Sequence, residues 1–480
     1  MSRTLTNSDK APRHTPSPRR RAACRRQRDR TWHSPCFSML AQRKPKECPL
    51  SAAAVTSIRP QPLPPEGPVG IVPGVHWIGA FDPGLRSFDT LMKTANGTSY
   101  NAYAVRGSEG VAVIDTVDAA HADSFFARLE AVARYDEITR IVLNHLEPDH
   151  SGALPELLRR APQAEVHLSP RGLQILRALL GGDFDRYRIV PVTTGAEVTL
   201  GDRTLRFLTT PNVHWPDTQC TFLVEDGLLF TCDLFGSHYC DERLFDDRVG
   251  DFRFALDHYF DRLMRPFRSS VRTALDLIEP LDVAIIAPSH GPILRTDPRA
   301  YLRHYRRLAG PRFTFGTDRT LAILYISAHG ATGRLARSIR DGAAEEPGVR
   351  VSLFDLEGGE LHPFIDLIEE VDGIALGTPT INGDAVRAVW ELLAQLVDIE
   401  TRGKLGAAFG SYGWSGEAVR QVEARLQGLG MRLPEPGLRV KFEPSDADLD
   451  EARAFGRRLA AHLAGRAVPR EIDLAELAAR

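Results

Sequence analysis

The chain has 480 residues, 43% of them hydrophobic and 25% charged, with a formal charge of −2. That is enough chain for two or three globular domains. No apolar run approaches the roughly 20 residues of a membrane helix. Residues 1–60 hold fourteen Lys/Arg against three Asp/Glu, so the remainder is acidic, which excludes a nucleic-acid-binding body.

The leader, residues 1–60, is rich in Arg, Pro and Ser, and its composition predicts disorder. Arg19 to Arg30 contains seven arginines. This basic stretch reads either as an arm for anionic surfaces or as a solvated tail upstream of a true start such as Met39. An Arg-rich, acid-poor leader also resembles an organelle transit peptide, but no apolar segment follows its arginine pairs, so export is not supported. The six cysteines are Cys24, Cys36, Cys48, Cys220, Cys232 and Cys240, and none forms a C-x-x-C pair. That excludes a zinc ribbon, a rubredoxin-type iron site and a thioredoxin-type redox pair. The last three lie in or near apparent strands, as small core residues do. Without a disulfide framework or signal core, the expected compartment is the reducing cytoplasm.

From Val69 to Arg312, short strands alternate with helices. Strands are predicted over Val75–Ala80, Tyr100–Val105, Val111–Asp115, Ile138–Leu143, Glu165–Leu168, Leu205–Thr209, Cys220–Val224 and Leu228–Cys232. An amphipathic helix is predicted over Ala120–Tyr135. This pattern predicts a layered α/β sandwich over 69–312. Pro311–Asp318 reads as a linker. Beyond it, strands at Thr320–Ile326, Val349–Phe354, Asp372–Gly377, Lys404–Phe409 and Leu438–Phe442 alternate with helices at Thr332–Ala344, Asp384–Leu396, Ser415–Leu429 and Asp446–Leu463. Regular βα alternation over 318–465 predicts a doubly wound parallel sheet of five strands. Residues 466–480 form a C-terminal tail, read as a short appended helix from about Ala467.

The most informative stretch is Asn144–Gly152, N-H-L-E-P-D-H-S-G. It follows the apolar run Arg140–Leu143 and precedes a helical pattern. Alternate residues of an extended segment face one way, so His145, Glu147 and Asp149 are expected to converge on one point, and His150 on a second. One loop thus serves two metal ions. The competing reading is a polar loop that caps the next helix. Three further residues end strand-like runs: His214 in Pro211–Asp217, Asp233 after Leu229–Cys232, and His290 after Ala284–Ser289. Seven such groups at strand ends favour a metal site of nitrogen and oxygen donors. That set suits iron or manganese, and zinc less distinctively. Asp233 has two oxygens with which to bridge two ions.

In the second half, Ser327-Ala328-His329-Gly330-Ala331-Thr332 lies between a strand and a helix, where small residues and free N–H groups make a phosphate cradle. It lacks G-x-G-x-x-G, so a dinucleotide is not indicated. Thr378-Pro379-Thr380-Ile381-Asn382 and Gly410-Ser411-Tyr412-Gly413-Trp414 follow two more strands of the same sheet. Ligands of such sheets bind at strand carboxyl ends. Tyr412 or Trp414 can cover an aromatic ring; the alternative is that both are packing residues.

The pattern H-x-E-x-D-H with distant His, Asp and His resembles the metallo-β-lactamase fold, whose hydrolase members usually carry His where Glu147 stands. A Glu there, with the runs 211–217, 232–238 and 288–292, resembles the flavodiiron family. The three later loops resemble flavodoxin and that family's flavin domain. The resemblance spans about residues 69–465. It implies an N-terminal αββα metallo-β-lactamase-like sandwich followed by a flavodoxin-like doubly wound sheet. It also implies one FMN and two non-haem irons. One iron takes His145, Glu147 and His214, the other takes Asp149 and His290, and Asp233 bridges; the family's counterpart of His150 does not always coordinate.

The implied activity is reduction of O2 to water, of NO to N2O, or both. Electrons come from an external donor, a rubredoxin-like protein or a reductase. No nucleic acid or membrane takes part. The implied assembly is a head-to-tail homodimer or a dimer of dimers, with the flavin of one chain serving the irons of the other. The alternatives are a dinuclear zinc hydrolase fused to a flavodoxin module, against which Glu147 speaks, and a non-catalytic FMN shuttle or gas sensor, against which the full ligand set speaks.

Overall fold

The computed structural model describes residues 67–90, 92–313 and 315–466. The expectations for the leader and for the tail beyond residue 466 lie outside the described residues. Among the described residues, no helix is long and apolar enough to cross a membrane.

The first half is two sheets packed face to face. One has seven strands, in the order Val69–Val72, Val75–Trp77, Tyr103–Gly107, Gly110–Ile114, Ile138–Leu143, Glu165–Leu168, Arg188–Pro191. Its first four strands pair antiparallel and the rest are parallel. The other has five strands, Glu197–Thr199, Thr204–Thr209, Gln219–Leu223, Leu228–Cys232 and Ile285–Pro288, with only the last pair parallel. Trp77, Tyr103, Val105 and Ile114 from the first sheet meet Leu205, Phe207, Leu223 and Phe230 from the second in the central core. Helices Ala122–Glu130, Leu154–Arg160 and Gly172–Leu180 cover one outer face, and Arg253–Tyr259, Arg268–Ile278 and Pro298–Leu308 the other. This is an αββα sandwich. Strands covered on both faces are largely apolar, as in Leu228–Cys232, where every residue is buried and only Thr231 is polar.

Two predicted strands are interrupted, each for a local reason. Val75–Ala80 breaks because Gly79 lies against the neighbouring chain: a Cβ there would come within 2.2 Å of the Tyr100 carbonyl. Tyr100–Val105 breaks at Asn101, whose backbone N–H donates to Ser289 O at 2.7 Å and whose Nδ2 donates to Pro288 O and Gly291 O at 2.8 and 2.9 Å. Asn101 leaves the sheet ladder to hold the turn that carries His290. The helix predicted over Ala120–Tyr135 is regular only over Ala122–Glu130, because Arg134 and Glu137 close a separate turn over Tyr135–Glu137.

The second half is a sheet whose five parallel strands run in the order Val349–Asp355, Arg319–Tyr325, Gly373–Gly377, Leu405–Tyr412, Leu438–Lys441. This is the 2-1-3-4-5 winding of doubly wound folds. A short hairpin, Thr380–Ile381 with Asp384–Ala385, extends it at the Tyr412 end. The helix expected from Asp384 therefore starts later, at Arg387. Asn382 and Gly383, at φ 55° and 75°, form the two-residue turn of this hairpin.

The two halves are joined through buried charge. Arg265 donates to Glu369 at 2.8 Å and to Asp366 at 2.6 Å, and Arg268 donates to Glu370 at 2.8 Å. Arg312, in the expected linker, adds bonds to Asp366 and Asp261. Lys404 Nζ donates to the carbonyls of Glu369 and Val371, ending the helix that presents these acids.

Candidate diiron and flavin sites

Strand ends build the first site. Asn144, just past Ile138–Leu143, donates from N and Nδ2 to the two oxygens of Asp115 at 2.7 and 3.0 Å, and Thr221 Oγ1 donates to Asn144 Oδ1 at 2.7 Å. Strands Gly110–Ile114, Ile138–Leu143 and Gln219–Leu223 are thereby tied together beneath the site. The loop then departs from the extended path expected of it. Pro148 starts a helical turn over Pro148–Ser151, in which the N–H groups of His150 and Ser151 donate to Glu147 O. Consecutive residues Asp149 and His150 therefore face the same point, and Asp149 does not join His145 and Glu147.

The seven expected residues come together as two groups sharing one carboxylate. His145 Nε2 lies 3.1 Å from Glu147 Oε2, and His214 Nε2 lies 3.2 Å from the same oxygen. Asp233 Oδ2 closes this group at 3.8 Å from His145 and 3.5 Å from His214. Its other oxygen, Oδ1, lies 3.2 Å from His150 Nε2 and 3.4 Å from His290 Nε2. Asp149 reaches those imidazoles at 3.3 and 3.1 Å. Both Asp149 oxygens and the Nε2 atoms of His150 and His290 are buried without a hydrogen-bond partner. Such atoms carry a large desolvation cost, which a bound cation removes. The donor set of four imidazoles and three carboxylates fits two ions of the iron class.

Supporting side chains come from remote segments and were not picked out from the sequence. Asp217 Oδ2 accepts from His145 Nδ1 at 3.0 Å and from Leu146 N at 2.9 Å, leaving the His145 Nε2 lone pair for a cation. Tyr259 OH donates to Asp233 Oδ1 at 3.0 Å. Asp89, at the exposed tip of the hairpin Ser87–Phe88/Met92–Lys93, has its carboxyl pushed up to about 6 by burial and by the Glu147 carboxylate. Burial alone would lower His150, but Asp149 and Asp233 hold it up at about 9. Glu147 is held below the usual carboxylate range by His145 and His214, against the upward push of burial. Cys232 lies beside the site, its Sγ 3.7 Å from Asp233 Oδ2, and burial followed by the Asp233 charge keeps it a thiol. Among these helpers Asp217 and Cys232 had a signal, as end residues of the runs 211–217 and 232–238; the bond of Asp217 to His145 depends on docking of the two loops.

The second site lies at the carboxyl ends of adjacent strands Arg319–Tyr325, Gly373–Gly377 and Leu405–Tyr412. The expected residues Ser327, Ala328, His329 and Gly330 lead into the helix Ala331–Ala343, whose first-turn N–H groups have no carbonyl upstream. Gly330 takes φ 89° with open space around it, and Ser327 Oγ accepts from Gly333 N at 3.1 Å. Thr332 and Ser411 share a hydrogen bond of 2.8 Å, linking the first and third loops. Thr378 N donates to Phe409 O, linking the second and third. Gly410 permits that approach, since a Cβ there would lie 2.0 Å from Thr378 O. Pro379, Thr380, Ile381 and Asn382 form the hairpin arm, which pairs through Thr380 with Tyr412, and Gly413 and Trp414 follow Tyr412, with Trp414 73% exposed. Small residues, hydroxyls and open helix N–H groups fit a phosphate, and the apolar rim fits a flat ring.

Comparison with known proteins agrees with the two-part fold. The family model described as ODP family beta lactamase matches residues 98–291, and that for flavodoxin matches residues 323–456. Type A flavoprotein fprA of Rhodobacter capsulatus is 74% identical over 418 residues, covering 87% of this chain and 96% of that protein. A nitric oxide reductase of Moorella thermoacetica is 35% identical over 405 residues, covering 83% of this chain and 99% of the relative. The solved rubredoxin oxygen:oxidoreductase of Desulfovibrio gigas superposes with a TM-score of 0.55 at 26% identity, covering 83% of this chain and 99% of that one. With its two-part fold, its shared-carboxylate ligand cluster and these relatives, the chain belongs to the flavodiiron family of type A flavoproteins.

Proposed function

We propose that this chain is an oxidoreductase that reduces O2 to water, NO to N2O, or both, at a non-haem diiron centre supplied by FMN. The observation that carries this reading is Asp233, with one oxygen turned to His145, Glu147 and His214 and the other to Asp149, His150 and His290. Those two triads would hold one iron each, with Asp233 offering one oxygen to either. Two ferrous irons supply two electrons and a reduced FMN two more, which suffices for O2, while coupling two NO takes two. The protein's own groups set the conditions. Asp217 fixes the tautomer of His145. Tyr259 gives a hydrogen bond to the bridging carboxylate and stays protonated, because burial and then Asp233 raise its phenol well above the ordinary value. Asp89 adds a further carboxyl beside Glu147.

FMN is held by Ser327–Thr332, Thr378–Asn382 and Gly410–Trp414. Residues 69–312 form the diiron domain and 318–465 the flavin domain. Electrons enter from a separate rubredoxin-like protein or a reductase, and the compartment is the cytoplasm. The assembly is a head-to-tail homodimer or a dimer of such dimers. Ile381, Trp414 and Phe442, exposed by 44%, 73% and 66% around Tyr412, support it as apolar surface at the flavin rim that a second copy covers. The test is flavin reoxidation. In the anaerobically reduced protein, O2 or NO reoxidises FMN rapidly, and Asp233→Ala abolishes that rate. An unchanged rate in Asp233→Ala would leave an FMN shuttle whose metal site is idle.

A further inference from the structure

His238 ends the run Cys232–His238 yet belongs to neither ligand group. It is 6% exposed. Its ring lies 4.5 Å from Phe88, 5.0 Å from Tyr259 and 5.1 Å from His290, centroid to centroid. Its Nδ1 lies 2.8 Å from Thr98 Oγ1. The same hydroxyl lies 3.4 Å from His290 Nδ1, which is also 2.8 Å from Ser99 O. A carbonyl only accepts, so His290 Nδ1 carries the hydrogen and its Nε2 offers the lone pair to Asp149's side of the site. The Thr98 oxygen can then face that N–H only with a lone pair, and its own hydrogen has two acceptors in reach, His238 Nδ1 at 2.8 Å and Ser99 O at 3.3 Å, of which the shorter contact favours His238.

We infer that Thr98 and His238 form a positioning pair behind His290 that holds the tilt of its ring, while Ser99 O sets its tautomer, and so governs the second metal position. The inference rests on the two-iron reading. His238 Nδ1 acts as the acceptor that orients the Thr98 hydroxyl, and the hydroxyl oxygen backs the His290 N–H together with Ser99 O. Phe88 clamps the His238 ring in that orientation. Partners of this kind typically change metal affinity by about 10–100-fold when removed.

The experiment uses full-length protein stripped of metal and titrated with Fe(II) against a competing chelator, with Mössbauer spectra of the reloaded protein. Thr98→Val keeps the shape and deletes the hydroxyl; Thr98→Ser keeps the hydroxyl. His238→Asn places an amide oxygen where Nδ1 stood; His238→Phe removes the acceptor. Thr98→Val and His238→Phe should weaken one of the two irons by about ten-fold or more and shift one of two iron doublets. Thr98→Ser and His238→Asn should restore both. Wild-type affinities and spectra in Thr98→Val and His238→Phe would overturn the inference. So would equal loss of both irons, or failure of Thr98→Ser and His238→Asn to restore the doublet, since either means packing alone. Should His238→Phe not fold, the threonine pair decides. Wild-type protein binding fewer than two irons would instead defeat the two-iron reading itself.

Discussion

Replacing Glu147 with His gives the site the ligand pattern of the hydrolases of this fold. The backbone can accept the change, because the Glu147 carbonyl, not its side chain, receives the His150 and Ser151 N–H groups at 2.9 and 3.0 Å. The carboxylate itself faces His145 and His214. With three carboxylates the cluster leaves two divalent ions a small net positive charge; with two it leaves one unit more. A unit charge about 4 Å away at an effective dielectric of about 20 is worth about 4 kcal/mol. At 1.4 kcal/mol per decade that is about three powers of ten against each added positive charge on oxidised iron. The expected Glu147→His protein is folded and yellow, depleted in iron, and able to take zinc. Its O2 and NO consumption with a chemically reduced donor fall together. Metal analysis beside turnover with each gas reads this directly. Full iron occupancy with wild-type rates would show that Glu147 does not bind metal, and the reasoning from carboxylate charge would fail.

Three other perturbations test separate parts of the account. Arg265→Ala strips a guanidinium from Glu369, which retains Arg268 at 3.1 Å, so the loss should be about 3 kcal/mol, the low end for breaking a buried pair. Urea unfolding should show it, with the two halves melting apart rather than together. Gly410→Ala drives a Cβ against Thr378 O; at about 1–3 kcal/mol of overpacking, FMN affinity should fall by one to two powers of ten while iron content holds, measured by flavin titration of the stripped protein. Deleting residues 1–60 should leave iron, FMN and turnover intact, because that composition cannot build a core; loss of either cofactor would contradict this.

The metal donors were legible because H-x-E-x-D-H fixes the residue types in one loop, and His214, Asp233 and His290 each end an apolar run. Their sorting into two groups came from the family resemblance and not from strand periodicity. Strand alternation placed Asp149 with His145 and Glu147, whereas Pro148 begins a helical turn that sends Asp149 and His150 to the other position. The hairpin at Asn382–Gly383 carried its own turn signal, but the apolar spacing of Ala385, Val389 and Leu392 extended the predicted helix back through Asp384. Breaks at Gly79 and Asn101 depend on which chain segment docks against them, and no local pattern encodes that. The same holds for Asp217, Tyr259, Thr98 and His238: each reaches a ligand across the fold, and its spacing along the chain says nothing of its partner.

The most direct test of the central claim is a stoichiometric single turnover. Purified protein is assayed for iron, zinc and FMN, reduced anaerobically, and exposed separately to O2 and to NO with N2O detection. The account predicts two irons and one FMN per chain, flavin reoxidation within the turnover, and water from O2 or N2O from NO. Zinc in place of iron, with flavin that neither gas reoxidises faster than in Asp233→Ala, would contradict it.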